Sequence, residues 1–386
     1  MSMKFEFVTP TRIIVGEGKA LEAGKLAKEF GDLVLLLTGN STERFKFLFD
    51  AIQTSGVKIV HFPIDKEPTV DIVQRGVSLG VSSGCQLVVA IGGGSVMDAA
   101  KAIAILMTNE GEIFEYLEVI GKGRSLLRPG VPLIAIPTTA GTGAEVTRNA
   151  VIGAPEHGVK VSLRSLNMLA KVAIIDPGLT YSMPKSVTAS TGMDALTQLI
   201  EPFVSNQANP LTDALCKDGM YRVARSLVKA YQNGGDQNAR LDMSLASLMS
   251  GLALANAKLG IVHGFASVLG GMFNAPHGAV CARLLPPCMS VNVAAIQERN
   301  TNDDSLARFD QVARILTDHP EASASDGVAW IKNLGDKLEI PPLSRYGLTE
   351  NDFQLVIEKT AVASSTKGNP VTLSSEEMAT ILDRAL

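Results

Sequence analysis

Four short apolar runs divide the first 140 residues: Leu33 to Thr38, Val57 to Phe62, Gln86 to Ile91 and Val131 to Ile136. Helical patterns lie between them at Phe45 to Gln53 and Val70 to Ser82. Continuous Val/Ile/Leu strands, without polar alternation, have no face left for water. Strands of this kind alternating with helices predict a parallel sheet covered on both sides. Pro132 fits best at a strand start, where its missing N–H costs no ladder bond. After Asp176-Pro177 the pattern changes. Helices are expected at Ser186 to Val204, Leu211 to Tyr231, Asp242 to Leu259, Val262 to Met272, Leu306 to Leu316, Gly327 to Leu338, Asp352 to Ala363 and Ser374 to Leu386. Ser374 precedes Glu377 by three residues, the spacing of a capping box. A chain of 386 residues exceeds one ordinary hydrophobic core. The expectation is an α/β domain over residues 1–180 and an all-helical domain over residues 181–386.

Composition narrows the function classes. Charged residues make up 19% of the chain and the net charge is -4, so there is no basic excess for nucleic acid. Lys122, Arg124 and Arg128 are expected in solvated loops. Cys85, Cys216, Cys281 and Cys288 form no CxxC pair and read as buried or half-buried free thiols. The N-terminus lacks a long apolar stretch, and no run of about 20 apolar residues follows. These features predict a soluble protein of a reducing, cytoplasmic compartment with no membrane partner.

Gly92-Gly93-Gly94-Ser95 follows the strand ending at Ile91 and opens a helical stretch. Glycines let backbone approach phosphate, and a helix N-terminus favours the anion. The spacing is not G-x-G-x-x-G, so this segment alone is equally a structural turn. Pro137-Thr138-Thr139-Ala140-Gly141-Thr142-Gly143-Ala144-Glu145 ends another strand and adds Thr138, Thr139 and Thr142 as hydroxyl donors. Two such loops at strand carboxyl ends suit a phosphate and a sugar. Asp98, beside Lys101, either orients the loop amides or caps a surface turn.

A second constellation lies in the helical half. Asp194 and Gln198 stand four apart on one helical face. His263 and His277 each precede a glycine. If they converge, the result is an N/O site for a divalent ion or a polar substrate, one ligand short of a four-residue cage.

Together these segments resemble the iron-containing (group III) alcohol dehydrogenase family over nearly the whole chain. Gly92 to Lys101 is similar to its cofactor loop and helix, Pro137 to Glu145 to its second loop, Ile175-Asp176-Pro177 to its domain junction, and Gly192 to Leu196 to the start of its metal helix. The resemblance implies a dehydroquinate synthase-like architecture, with NAD or NADP on the α/β domain and metal and substrate on the helical one. It makes Asp194, His263 and His277 ligands of Fe²⁺ or Zn²⁺, with Gln198 in place of the usual histidine, so metal retention is in doubt. A further family histidine is Ser267 here. Without metal, His263 or His277 in its charged form would polarise a carbonyl and return its proton.

In NAD-restricted members an aspartate often follows the second strand. Here Gly39 stands there, with Asn40, Ser41 and Arg44 as donors to a further phosphate, so NADP is admitted. Asn149 and Lys160 fall near the family's substrate site. Lys160, Ser162 and Arg164 share one face of an alternating stretch that suits an anionic carbonyl compound or a solvated edge equally. The leading expectation is reversible hydride transfer between a nicotinamide and a small alcohol, aldehyde or ketone, in a homodimer. The alternatives are a maleylacetate-type reductase of an anionic keto acid and an inactive nucleotide-binding or structural protein.

Overall fold

The computed structural model describes residues 4–157, 159–299 and 303–386. The chain forms two compact units. One holds Val8–Thr139 and Gly143–Thr180; the other holds the residues up to Phe7, Ala140–Thr142 and Tyr181–Leu386.

In the first unit the strands are β1 (Arg12–Val15), β2 (Leu33–Thr38), β3 (Lys58–Pro63), β4 (Leu87–Gly92), β5 (Leu133–Pro137), β6 (Asn149–Ala154), β7 (Val159–Arg164) and β8 (Val172–Ile175). Its helices are α1 (Ala23–Phe30), α2 (Lys46–Thr54), α3 (Val70–Ser83) and α4 (Gly94–Leu106). Six strands build one sheet in the order β1-β8-β5-β4-β2-β3, every neighbouring pair parallel. Alternate residues serve opposite faces. Leu35, Leu37, Val88 and Ala90 join one buried core, while Val34, Leu36, Val89 and Ile91 join another. This double burial is why the strands carry no polar alternation. Pro132 lies just before β5, and its carbonyl accepts from Val88 N. β6 and β7 pair as a separate antiparallel hairpin.

The second unit is helical: α5 (Lys185–Val204), α6 (Pro210–Gln232), α7 (Gln237–Asn256), α8 (Ile261–Phe273), α9 (His277–Arg299), α10 (Asp303–Thr317), α11 (Ala324–Lys337), α12 (Phe353–Val362) and α13 (Ser375–Ala385). Ser374 caps α13 with the expected box, accepting from Glu377 N while Glu377 accepts from Ser374 N. α9 has no counterpart among the expected helices. It contains Pro286 and Pro287, which remove two helical donors, yet its flanks are buried in the core and packing carries it through. Its length and apolarity would suffice for a bilayer, but 78% of its most apolar stretch is buried in protein.

Ala140–Thr142 belongs with the helices although it lies inside the segment read as one loop. Gly141 rests on Thr191: a Cβ there would stand 2.6 Å from Thr191 Cβ. Its carbonyl accepts from Ser250 Oγ at 3.2 Å.

Glu145, at the end of the Thr-rich segment, is 3% exposed. Burial raises its pKa to about 7, and the charge of Lys101 opposes this only in part. Folding therefore favours the protonated acid. The stability this group contributes is fully present below its ordinary pKa and is lost as pH rises through about 7. Glu145→Gln should raise the unfolding free energy at pH 8 by roughly 3 kcal/mol, read from denaturant titration, and the gap should close near pH 4. A gap independent of pH would mean the carboxyl ionises as it does in water.

Candidate active site and metal centre

The chain offers two sets of functional groups. The first lies along the carboxyl ends of β2, β4 and β5, three adjacent parallel strands. After β2 the chain moves outward to β3 and then returns across β2 to β4. The sheet therefore reverses its winding between β2 and β4, the place where open α/β sheets take ligands. Gly39 follows β2. Gly93 caps α4 with extended backbone, its carbonyl accepting from Val96 N and Met97 N at 3.0 and 3.1 Å. The free amides of the α4 N-terminus, with Gly94 and Ser95, are what an anion needs. A Cβ on Gly93 would lie 3.5 Å from Thr139, so the β4 and β5 loops adjoin, and Thr138 N bonds Gly92 O at 2.8 Å.

Other expected cofactor residues are already engaged. Asp98 accepts from Val151 N at 3.1 Å and pairs with Lys101 Nζ at 3.0 Å. Lys101 is 2% exposed and also donates to Thr147 Oγ1 at 2.8 Å and to the Asn149 carbonyl. Asp98 thus ties α4 to the hairpin. The Asn40 amide donates to Asp65 O at 3.2 Å, and the Arg44 guanidinium to Leu179 O. Ser41 is exposed. Thr142 belongs to the helical unit, whereas Thr138 and Thr139 belong to the α/β unit.

The hairpin charges are paired as well. Lys160 bonds Glu67, and Arg164 lies 3.6 Å from Glu118. Lys160, Ser162 and Arg164 do share one face, with Val161 and Leu163 buried on the other.

The second set lies wholly in the helical unit. α5 carries Asp194 and Gln198, α8 carries His263 as its third residue, and α9 begins at His277. Asn274 ends α8 in the left-handed region at φ 51°, which asparagine tolerates, and Pro276 precedes α9. Close approach of α9 to α5 depends on Gly278: a Cβ there would lie 2.7 Å from Ser190 O. Asp194 Oδ1 consequently stands 3.5 Å from His263 Nε2 and 3.6 Å from His277 Nε2. Cys281, one turn after His277, places Sγ 3.9 Å from His263 Nε2 and 3.7 Å from His277 Nε2. The four donor atoms all lie within 4.8 Å of one another.

Asp194 is 1% exposed and Gln198 2%, yet neither Asp194 Oδ1 nor Gln198 Oε1 meets a hydrogen-bond partner. A buried carboxylate oxygen left unsatisfied is costly unless a cation sits against it. The residues therefore fit a divalent ion.

Electrostatics point the same way. Burial works against the charge on Asp194, but His277 and His263 hold its carboxyl below the usual range. Burial also opposes both imidazolium forms. Cys281, Glu201 and Asp194 outweigh it at His263, raising its pKa well above ordinary, and Cys281 with Asp194 raises His277 to about 9. An anionic pocket attracts a proton or a metal ion for the same reason.

Two members escaped the sequence reading. Cys281 was taken as a structural thiol; its signal was the i,i+4 spacing from His277, hidden because α9 was not recognised. Glu201 lies seven residues after Asp194, hence on the same face of α5. It accepts from Val262 N at 2.7 Å and holds His263 Nδ1 at 2.6 Å, leaving Nε2 toward Asp194. Ser267 is exposed and donates to Gly264 O at 2.9 Å. Glu201→Gln should weaken Zn²⁺ binding by about 10- to 100-fold, read by chelator competition, because the ring loses its orienting charge. Unchanged affinity would show that His263 needs no such support.

The iron-containing alcohol dehydrogenase family matches residues 10–177, and the C-terminal domain of the same family matches residues 188–386. Alcohol dehydrogenase 4 of Saccharomyces cerevisiae is 36% identical over 322 residues, covering 82% of this chain and 80% of that protein. The NAD-dependent methanol dehydrogenase of Bacillus methanolicus is 32% identical over 395 residues, covering 98% and 99%. The crystal structure of a 1,3-propanediol oxidoreductase superposes with a TM-score of 0.92 at 31% identity, covering 100% of both chains. Two adjoining family matches along the chain, full-length relatives and the parallel-sheet and helical units agree. The chain belongs to the iron-containing alcohol dehydrogenase family.

Proposed function

We propose that this chain is an NAD(P)-dependent alcohol dehydrogenase, or carbonyl reductase, acting on small uncharged alcohols and aldehydes. The observation that carries the reading is the set of loops at Gly39, Gly92 to Ser95 and Thr138-Thr139. They follow three adjacent strands around the reversal of the sheet. In the reaction a hydride leaves the alcohol carbon for the nicotinamide ring and the hydroxyl proton is released, giving carbonyl, reduced coenzyme and a proton. The reverse direction consumes the same three. The coenzyme carries the hydride, so the protein supplies position and charge.

The α4 N-terminus and the glycine loop take the diphosphate, and Thr138 and Thr139 offer hydroxyls to the sugar. In the helical unit Asp194, His263 and His277 would hold a divalent ion. When bound, such an ion is a Lewis acid toward the alcohol oxygen, stabilising negative charge there. Glu201 fixes the His263 ring, and Gln198 offers an amide oxygen to the same cluster. His277 is the open side: its side chain is 42% exposed, against 6% for His263, so a substrate oxygen approaches there.

The uncharged substrate class rests on the hairpin. Lys160 and Arg164, the cations that would recognise a carboxylate or sulfonate, already face Glu67 and Glu118. That disfavours the maleylacetate-type alternative. The relatives named for alcohols and methanol support small neutral substrates.

A spectrophotometric panel with NADH and NADPH, using neutral aldehydes beside dicarboxylate keto acids, tests the reading. Turnover with neutral aldehydes is expected, and His277→Ala should lower kcat/KM by about 100-fold or more while coenzyme still binds. A folded protein that binds neither coenzyme by calorimetry would defeat the proposal.

Gly39 leaves room beside the adenosine ribose, with no atom within 4 Å of a Cβ built there. Both coenzymes should therefore be accepted. Gly39→Asp should raise KM for NADPH by about tenfold or more and leave KM for NADH nearly unchanged, since like charges then face each other. An equal effect on both coenzymes would place the ribose elsewhere.

A further inference from the structure

We infer that Cys281 is a thiolate ligand of the metal, replacing the imidazole missing at Gln198, and that it turns the site from iron toward zinc. This rests on the reading that Asp194, His263 and His277 hold an ion, and it adds a fourth donor with a consequence for metal identity.

Distances carry the inference. A tetrahedral zinc with ligands at roughly 2.0–2.3 Å keeps its donor atoms about 3.3–3.8 Å apart. Among Asp194 Oδ1, His263 Nε2, His277 Nε2 and Cys281 Sγ, four of the six separations are 3.5, 3.6, 3.7 and 3.9 Å. The other two are within 4.8 Å. The set thus has nearly the size of a zinc tetrahedron. The second, independent observation is Asp194 Oδ1 itself, a buried carboxylate oxygen directed into the same space with no hydrogen-bond partner.

The backbone explains why Cys281 reaches the site. It stands four residues after His277 on α9, so both side chains leave one face of that helix. Cys281 Sγ is buried with no disulfide partner. Gln198 occupies the family's histidine position on α5, where its neutral amide oxygen is a much weaker donor for a borderline metal. The fourth strong donor has therefore moved from α5 to α9.

Donor chemistry then selects the metal. A thiolate in a tetrahedral N/O/S set favours zinc, and for a common ligand set the divalent affinity order also places Zn²⁺ above Fe²⁺. The thiol proton passes to solvent as the sulfur binds the ion. Zinc has no accessible redox change, so a bound ion would be insensitive to air.

The test uses purified, metal-stripped full-length protein titrated with Co²⁺ as a spectroscopic probe. The inference predicts tetrahedral d–d bands with a thiolate-to-cobalt charge-transfer band in the near ultraviolet. Cys281→Ser should lose the charge-transfer band while keeping bound Co²⁺, and should weaken Zn²⁺ binding by about tenfold or more relative to Fe²⁺ in chelator competition. Cys288→Ser should keep the band. Cobalt bound without a charge-transfer band in the wild type overturns the inference and leaves the metal reading intact. No cobalt binding at all overturns both. A band that persists in Cys281→Ser assigns the sulfur elsewhere and also overturns it. Should Cys281→Ser not fold, zinc-edge X-ray absorption of the wild-type protein decides the matter, through presence or absence of a sulfur neighbour at about 2.3 Å.

Discussion

A buried carboxylate oxygen with no hydrogen-bond partner, Asp194 Oδ1, is the constraint around which the helical unit is arranged. Burying an unpaired charge costs several kcal/mol, against about 1 kcal/mol for a typical net hydrogen bond. Asp194 Oδ1 has no hydrogen-bond partner, so its charge is met only by the two imidazoles 3.5 and 3.6 Å away. The unit instead surrounds the carboxylate with groups that need the same cation: two imidazole nitrogens and a sulfur. Three helices must converge for this, and each convergence has a specific cause. Glu201 sits on the same face of α5 as Asp194 and seizes both Val262 N and the His263 ring, locking the start of α8 to α5. Gly278 lets α9 come within backbone contact of Ser190. A methyl group there would hold α9 off, taking His277 and Cys281 with it.

The α/β unit answers a different demand. Its sheet is buried on both faces, so polar chemistry is confined to strand ends. That confinement makes the site legible: Gly39, Gly92 to Ser95 and Thr138-Thr139 are polar or small because they stand where the aliphatic runs stop. Residues slightly further along do other work. Half-buried Asp98 and buried Lys101 form a pair that holds the β6–β7 hairpin to α4. A charged residue near a phosphate loop thus reads the same in sequence whether it meets a ligand or its own fold.

The same limit explains what sequence reading reached in the helical unit and what it missed. α5, α6 and α8 have apolar spacing strong enough to declare themselves. α9 does not, because two consecutive prolines argue against a helix locally and only its burial in the core overrides them. With α9 unrecognised, the four-residue spacing of His277 and Cys281 had no geometric meaning, and the thiol passed for core. Glu201 was legible in principle, one heptad beyond Asp194. A lone acid in an apolar helix, however, shows its role only once the helix it touches is known. β8 is four residues long, too short to stand out before the sheet is seen.

Gln198 and Cys281 hold equivalent places on their helices. Each lies one helical turn from another member of the cluster, Asp194 on α5 and His277 on α9. α5 supplies Asp194 and its support, Glu201, while α9 supplies an imidazole and a sulfur. The geometry of the cluster then depends mainly on how α8 and α9 are joined, which is the turn at Asn274, Ala275 and Pro276. Asn274 holds a left-handed conformation there, a strained choice for most residues but available to asparagine. A short, conformationally fixed link suits the task, since it holds the sulfur 3.9 Å from the imidazole of one helix and 3.7 Å from that of the other. Three of the four donors, His263, His277 and Cys281, thus stand at this corner between two helices, and one, Asp194, on the long helix α5.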